Sequence, residues 1–361
     1  MTASITIESV LHRPAGIEVV EAPQELDSMH PLHPSAELII AENRQTIVDI
    51  KNGRDPRLMV WARPCSLDDS MQPDGTPSAL AFAYKIFELS KKPEIAKALF
   101  VGTGMYAVKP RTGGTGKDDF AGLDQRDLVT AHALITAGAN MGVPLRMEVM
   151  TKEHLARYDD RMTALQVGAR DIGSTMLRRT LSATNTPVFC KNADSGDLSP
   201  GYRAISTIAT GHSGVEVTLP DGRTARYTDR TPGNPNALLS YRGGDDVKTP
   251  EAYASRVQEV SRQNVPFELD NAHGPAAAHD PKGQKSVEGQ KTAFEHNLRL
   301  MQMGSLAARP VSLLIEAYLL EGADTTEQTP GMSWTDPGIG INDTEEMIRE
   351  LARVHGRLIA R

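Results

Sequence analysis

Seven short apolar segments in this chain each run into one charged or metal-capable side chain, a recurrence that restricts the folds open to it. Leu58-Met59-Val60-Trp61 precedes Cys65, Ala98 to Val108 precedes Lys109, and Leu165-Gln166-Val167 precedes Arg170. Pro187-Val188-Phe189 precedes Lys191, Ala237-Leu238-Leu239 precedes Arg242, Phe267-Glu268-Leu269 precedes His273, and Val311 to Ile315 precedes Glu316. Strand-like runs of this length, separated by helical patterns, imply a parallel sheet. Eight such units close into a barrel whose strands all end at one mouth, so residues remote in sequence would converge there on a single pocket.

The helical signals lie between the runs. Ser35 to about Asn52 reads as a helix with Ser35 as N-cap and Gly53 just past its end. Thr76-Pro77 and Thr249-Pro250 place a capping hydroxyl before a proline at the first helical position. Asp124 to Ala139, Lys285 to Met303 and Asp343 to Leu358 carry apolar residues at helical spacing. Two stretches around Pro220-Asp221-Gly222-Arg223 alternate in period two, which predicts a β-hairpin. The expected fold is therefore an α/β protein, a (β/α)8 TIM barrel with an N-terminal helical or strand extension and an inserted hairpin near the sixth strand. Residues 1–53 form the arm and helix, with a strand at Ile17 to Val20, and 54–361 the catalytic barrel, with the hairpin at about 213–232.

A chain of 361 residues with 39% hydrophobic and 24% charged residues has the composition of an ordinary globule with ample core. Its formal charge of −7 argues against a nucleic-acid surface, so any anion site must be local. Two cysteines, Cys65 and Cys190, cannot form a disulfide scaffold and suggest a reducing compartment. No apolar run reaches the ~18 residues of a membrane span, and the N-terminus lacks a signal peptide's basic start. The expectation is a cytoplasmic protein that engages neither membrane nor nucleic acid.

Cys65, His273, Glu316 and Asp336 are possible metal ligands. A thiolate, an imidazole and two carboxylates suit Mn, Fe, Co or Zn better than Mg. Lys109, Arg111, Arg170, Lys191 and Arg242 end or follow separate strands, and five cations at one mouth would suit phosphorylated, doubly anionic small molecules. Gly113 to Lys117 resembles a nucleotide loop but fails the pattern, because Asp118 stands where a Mg²⁺-binding hydroxyl is required. His132, His154, His296 and His355 fall within helices and are read as structural, and Cys190 as strand packing.

In order along the chain, Arg63-Pro64-Cys65-Ser66, Lys109-Pro110-Arg111-Thr112, Gly168-Ala169-Arg170, Phe189-Cys190-Lys191-Asn192, Gly233-Asn234-Pro235, Tyr241-Arg242-Gly243-Gly244, Asp270 to His273, Ile315 to Gly322 and Thr335 to Gly340 resemble type I 3-deoxy-arabino-heptulosonate-7-phosphate (DAHP) synthases. The resemblance covers residues 36 to 361 and implies a transferase of the shikimate pathway and aromatic amino acid biosynthesis, working as a homodimer or homotetramer. It makes Cys65, His273, Glu316 and Asp336 the ligands of one divalent ion. Arg170, Lys191 and the Ala169 backbone would take the phosphate of phosphoenolpyruvate (PEP), and Lys109 and Arg242 its carboxylate. Pro110, Arg111 and Thr112 would hold erythrose 4-phosphate, Lys109 would donate a proton, and Glu148 would line the PEP side. Four places depart from the family pattern. Gly104 replaces an arginine, Val108 a glutamate, Arg63 a glycine, and Asp171-Ile172-Gly173 a Thr-Thr-Glu. Arg63 is expected to restore the lost guanidinium from the neighbouring strand. The alternatives are a diverged relative with another donor or acceptor, or a non-catalytic barrel that binds a phosphorylated metabolite.

Overall fold

The computed structural model describes residues 23–65, 70–105, 125–219, 221–324 and 329–360. Ten strands follow in chain order: β1 (Leu58–Arg63), β2 (Leu99–Gly104), β3 (Leu145–Glu148), β4 (Ala164–Val167), β5 (Val188–Lys191), β6 (Glu216–Thr218), β7 (Thr224–Arg226), β8 (Ala237–Tyr241), β9 (Phe267–Asp270) and β10 (Ser312–Glu316). Eight of them form a closed parallel barrel in which β1 pairs with both β2 and β10. The other two, β6 and β7, are the antiparallel hairpin, with Glu216 opposite Arg226, placed before the sixth barrel strand. The barrel strand that the apolar runs do not reveal is β3, because Arg146 and Glu148 interrupt it.

Successive side chains on a strand point to opposite faces. Leu58, Val60 and Ala62 therefore pack outward with helix residues such as Phe82 and Ile348. Met59 and Trp61 turn inward to Phe100, Phe189, Leu238 and Leu314, and Ile47 and Ile50 of the helix Pro34–Lys51 join that inner cluster. Trp61 meets Phe100 and Phe189 edge-on, with ring centroids 6.3 and 5.9 Å apart. Its indole lies over Gly102, where an added Cβ would come within 2.5 Å of the ring. Both faces of each strand are covered, which is why the strands read as apolar runs rather than as an alternation.

The helices follow the sequence reading with two corrections at their starts. The Pro34–Lys51 helix is capped by His33, whose Nδ1 accepts from the Ser35 N–H at 3.2 Å, rather than by Ser35. The next long helix runs over Ser78–Ser90 with no side-chain cap, because Pro77 is extended and bridges to Met71. Thr249 does cap Pro250–Ser261, its Oγ1 accepting from the Ala252 N–H at 3.2 Å. Helices also span Gln125–Asn140, Val287–Met303 and Ile341–Ile359 and contain His132, His296 and His355, while His154 lies in Lys152–Tyr158. Burial pushes the Cys190 thiol up to about 12, in keeping with a packing role. The strand expected at Ile17 to Val20 and the loop Gly113 to Lys117 lie outside the described residues.

Among these aromatic rings the barrel interior also holds a buried polar cluster. Arg146 bonds Glu268 through two nitrogens, at 2.6 and 2.9 Å, and stacks 3.8 Å from the Phe189 ring centroid. Ser240 and Ser312 each donate to Glu268 at 2.7 Å. Removing one partner of such a buried pair leaves a desolvated charge and costs about 3–5 kcal/mol, whereas removing both is far milder. Arg146→Met alone is therefore expected to lower unfolding stability by about 3–5 kcal/mol. Adding Glu268→Met should recover most of it in denaturant melts, and additive losses would show that the two charges do not act as a pair.

Candidate active site

The pleat that buries Trp61 decides what reaches the barrel's upper rim. The last inward positions of β1, β2, β3, β5, β9 and β10 are Arg63, Gly104, Glu148, Lys191, Asp270 and Glu316, and Gly168 and Arg242 follow β4 and β8. Every one of these is charged except the two glycines. Cys65 stands two residues past β1, His273 three past β9, and Asp336 in the segment after β10.

The ligand atoms of Cys65, Glu316 and Asp336 all lie within 4.8 Å of one another. Cys65 Sγ is 3.9 Å from Asp336 Oδ2, and His273 Nε2 is 3.7 Å from Glu316 Oε1, so the four expected donors adjoin. Gln290 fixes the Glu316 backbone, its Oε1 accepting from the N–H at 2.7 Å and its Nε2 donating to the carbonyl at 3.1 Å. Glu316 Oε2 is buried and receives no hydrogen bond among the described residues. A buried carboxylate oxygen without a donor is costly unless a cation meets it, so these residues fit a divalent ion. Lys285, which sequence reasoning missed, places its ammonium 2.8 Å from Asp336 Oδ2. It comes from the loop before Val287–Met303, and no strand pattern announces it.

His273 Nδ1 stands 2.7 Å from Asp270 Oδ2. Burial raises the Asp270 carboxyl, but His273, Lys191 and Arg63 outweigh it and hold the group far below the usual carboxylate range. Burial pulls His273 down and outweighs the opposing pull of Asp270 and Glu316. Burial thus favours the neutral ring, and its two nitrogens lie between the carboxylates of Asp270 and Glu316, as in a histidine ligand flanked by a carboxylate. Asp270 was legible as a motif residue, and its inward position follows from Glu268 two places earlier.

The cations form the other half of the rim. Lys191, lowered by burial and supported by Glu148, lies 3.6 Å from Glu148 Oε2. Arg242 pairs with Asp194, and its backbone N–H donates to Asn192 Oδ1 at 2.8 Å. Asn192 also donates to Gly243 O at 2.9 Å, and Gly243 turns the chain at φ 64. The Gly274 N–H donates to Arg242 O at 2.9 Å, which joins the Arg242 turn to the His273 turn. Arg63 is buried with Nη2 3.9 Å from Glu316 Oε1. Ala169 is half-buried and Arg170 exposed, and burial together with Glu148 raises the neighbouring Asp171 carboxyl against a smaller opposing pull from Arg170. Val108, Lys109, Pro110, Arg111 and Thr112 lie outside the described residues.

A model of the DAHP synthetase I family matches residues 37–293. The chain belongs to that family. Among curated DAHP synthases, the Tyr-sensitive phospho-2-dehydro-3-deoxyheptonate aldolase of Escherichia coli strain K12 is 28% identical over 360 residues, covering 95% of this chain and 96% of its own. The Trp-sensitive enzyme of the same strain is 28% identical over 357 residues, covering 94% and 96%. The solved phospho-2-dehydro-3-deoxyheptonate aldolase of Francisella tularensis SCHU S4 shares the fold, with a TM-score of 0.79 at 23% identity over 95% of this chain and 98% of that one. The expected barrel, family and DAHP synthase enzyme class are borne out. No helix among the described residues is long and apolar enough to cross a membrane.

A ligand that binds only the folded state at a hundred times its Kd adds about 2.7 kcal/mol of stability. Mn²⁺ is therefore expected to raise the Tm of chelator-treated protein by several degrees, and Glu316→Gln to lose most of that gain. An equal gain in the variant would remove Glu316 from the ligand set.

Proposed function

We propose that this DAHP synthetase family member condenses PEP with erythrose 4-phosphate to give DAHP and inorganic phosphate. The observation that carries this reading is the gathering of thiol, imidazole and two carboxylates beside Arg63, Lys191 and Arg242 at one barrel mouth. Cys65, His273, Glu316 and Asp336 would hold one Mn, Fe, Co or Zn ion. When bound, it supplies Lewis-acid polarisation of the aldehyde.

The chain's own residues do the positioning. Arg170, Lys191 and the Ala169 N–H take the PEP phosphate, Lys109 and Arg242 its carboxylate, and Pro110, Arg111 and Thr112 the aldose phosphate. Fixed cations overcome the repulsion between two anionic substrates and set PEP C3 against the aldehyde carbon. As that bond forms, Lys109 gives a proton to the aldehyde oxygen. Water then adds at C2, and phosphate leaves by C–O cleavage.

Arg63 takes part from β1. β1 and β2 pair Trp61 with Gly102, and the same offset sets Arg63 beside Gly104. Its guanidinium bears electrostatically on Lys191 and Asp270, which puts its charge within the rim. Arg63→Ala is expected to raise the KM for PEP by roughly tenfold or more, the scale of a lost charged hydrogen bond. An unchanged KM would dismiss this role.

A second reading, with another acceptor or donor, draws support from Asp171. Burial, followed by Glu148, raises its carboxyl, which puts an acid beside the Gly168-Ala169-Arg170 turn. PEP consumption that requires both erythrose 4-phosphate and Mn²⁺, and that stops in strong chelator, is the expected result. Consumption only with a different phosphorylated aldose would replace the first reading by the second, and binding without any turnover would overturn both.

A further inference from the structure

Lys191 is 5% exposed, and among the described residues nothing hydrogen-bonds its ammonium. Its ion-pair partner, Glu148 Oε2, stops at 3.6 Å. The same oxygen accepts a hydrogen bond from Gln166 Nε2 at 2.6 Å. One carboxylate oxygen thus leans towards a neutral amide and stays short of a neighbouring cation, the reverse of what unconstrained electrostatics would choose.

The cause lies inside the barrel. Gln166 Oε1 accepts from Arg146 Nη2, and Arg146 is locked onto Glu268 through both terminal nitrogens. A guanidinium has no acceptor, so the amide cannot flip; its oxygen must face Arg146 and its N–H₂ must face Glu148. Gly168 makes room for the carboxylate in this position, since a Cβ there would stand 2.4 Å from Glu148 Oε1. We propose that Gln166 is a positioning residue that holds Glu148 back from Lys191, leaving the Lys191 charge available to a phosphate monoester. The carboxylate remains near enough to keep a buried ammonium protonated and too far to quench it. Without the amide, Glu148 would close on Lys191, and an incoming phosphate would have to break a desolvated ion pair. This inference rests on the reading of Lys191 as a phosphate-binding cation.

The test is calorimetric binding of inorganic phosphate and of PEP to the full chain, with Lys191→Met as reference. Gln166→Met keeps the volume and loses both hydrogen bonds, and is expected to weaken both ligands on the order of tenfold. Gln166→Glu covers the case in which that variant fails to fold. Its introduced carboxyl, when protonated, can donate to Glu148 as the amide does; once ionised, it repels Glu148 towards Lys191. Binding to Gln166→Glu should therefore be close to wild type at low pH and fall away as pH rises, a step absent from the wild-type profile and one that a purely structural role would not create. Wild-type affinities in Gln166→Met, or a wild-type pH profile in Gln166→Glu, overturn the proposal while leaving the Lys191 reading intact. Phosphate and PEP binding that survives Lys191→Met overturns both.

Discussion

Everything at the rim depends on one geometric constraint, the two-residue pleat of strands closed into a barrel. Trp61 must lie inward to fill the space over Gly102, and that choice sends Arg63, two residues on, inward as well. The same parity places Lys191 above Phe189, Arg242 two pleats beyond Leu238, and Glu316 above Leu314. A one-residue slip would turn every charged strand end out towards the helices. The apolar layer and the candidate site are therefore a single specification, and the aromatic packing below sets the register of the chemistry above.

That arrangement concentrates charge where solvent cannot screen it. Arg63, Lys191 and Arg242 face Glu148, Asp270 and Glu316 around the mouth, with Asp336 and Lys285 adjoining. Several contacts are longer than a hydrogen bond: 3.9 Å for Arg63 to Glu316, 3.6 Å for Lys191 to Glu148, and 3.7 Å for His273 to Glu316. Buried pairs at such spacing do not recover their desolvation cost through mutual attraction. By contrast, Arg146 and Glu268 one layer below are bidentate, with both serines completing the carboxylate. The interior carboxylate is fully engaged and the rim pairs stand apart, the pattern expected where stability is surrendered to a ligand-binding site.

The barrel was legible because its strands are covered on both faces and seven of the eight read as apolar runs. β3 escaped because Arg146, placed inside the barrel, breaks its hydrophobic run, and only a partner on β9 makes that burial tolerable. The metal-capable set was legible as residue types at strand ends, but its adjacency depends on closure, which no spacing along the chain encodes. Asp270 could be found from the parity of β9. Lys285, Asp194 and the Gln166 amide could not, since each acts across strands or from a loop. The two misread helix starts have a local cause: His33 presents an acceptor nitrogen that competes with Ser35, and Pro77 is drawn into a bridge with Met71.

The pairing of a glycine on β2 with an arginine on β1 has a consequence for the interior. Gly104 pairs with Arg146 across β2 and β3, so the space left beside Gly104 is flanked by two guanidinium groups, Arg63 from one side and Arg146 from the other. Two like charges in a dry interior repel unless each has its own counter-ion. Glu268 holds Arg146 down in the middle layer through two nitrogens, and Glu316 draws Arg63 up towards the mouth. Glu268 is in this sense the condition for Arg63 at the rim: an interior carboxylate that holds one guanidinium through both terminal nitrogens leaves the other to serve the pocket.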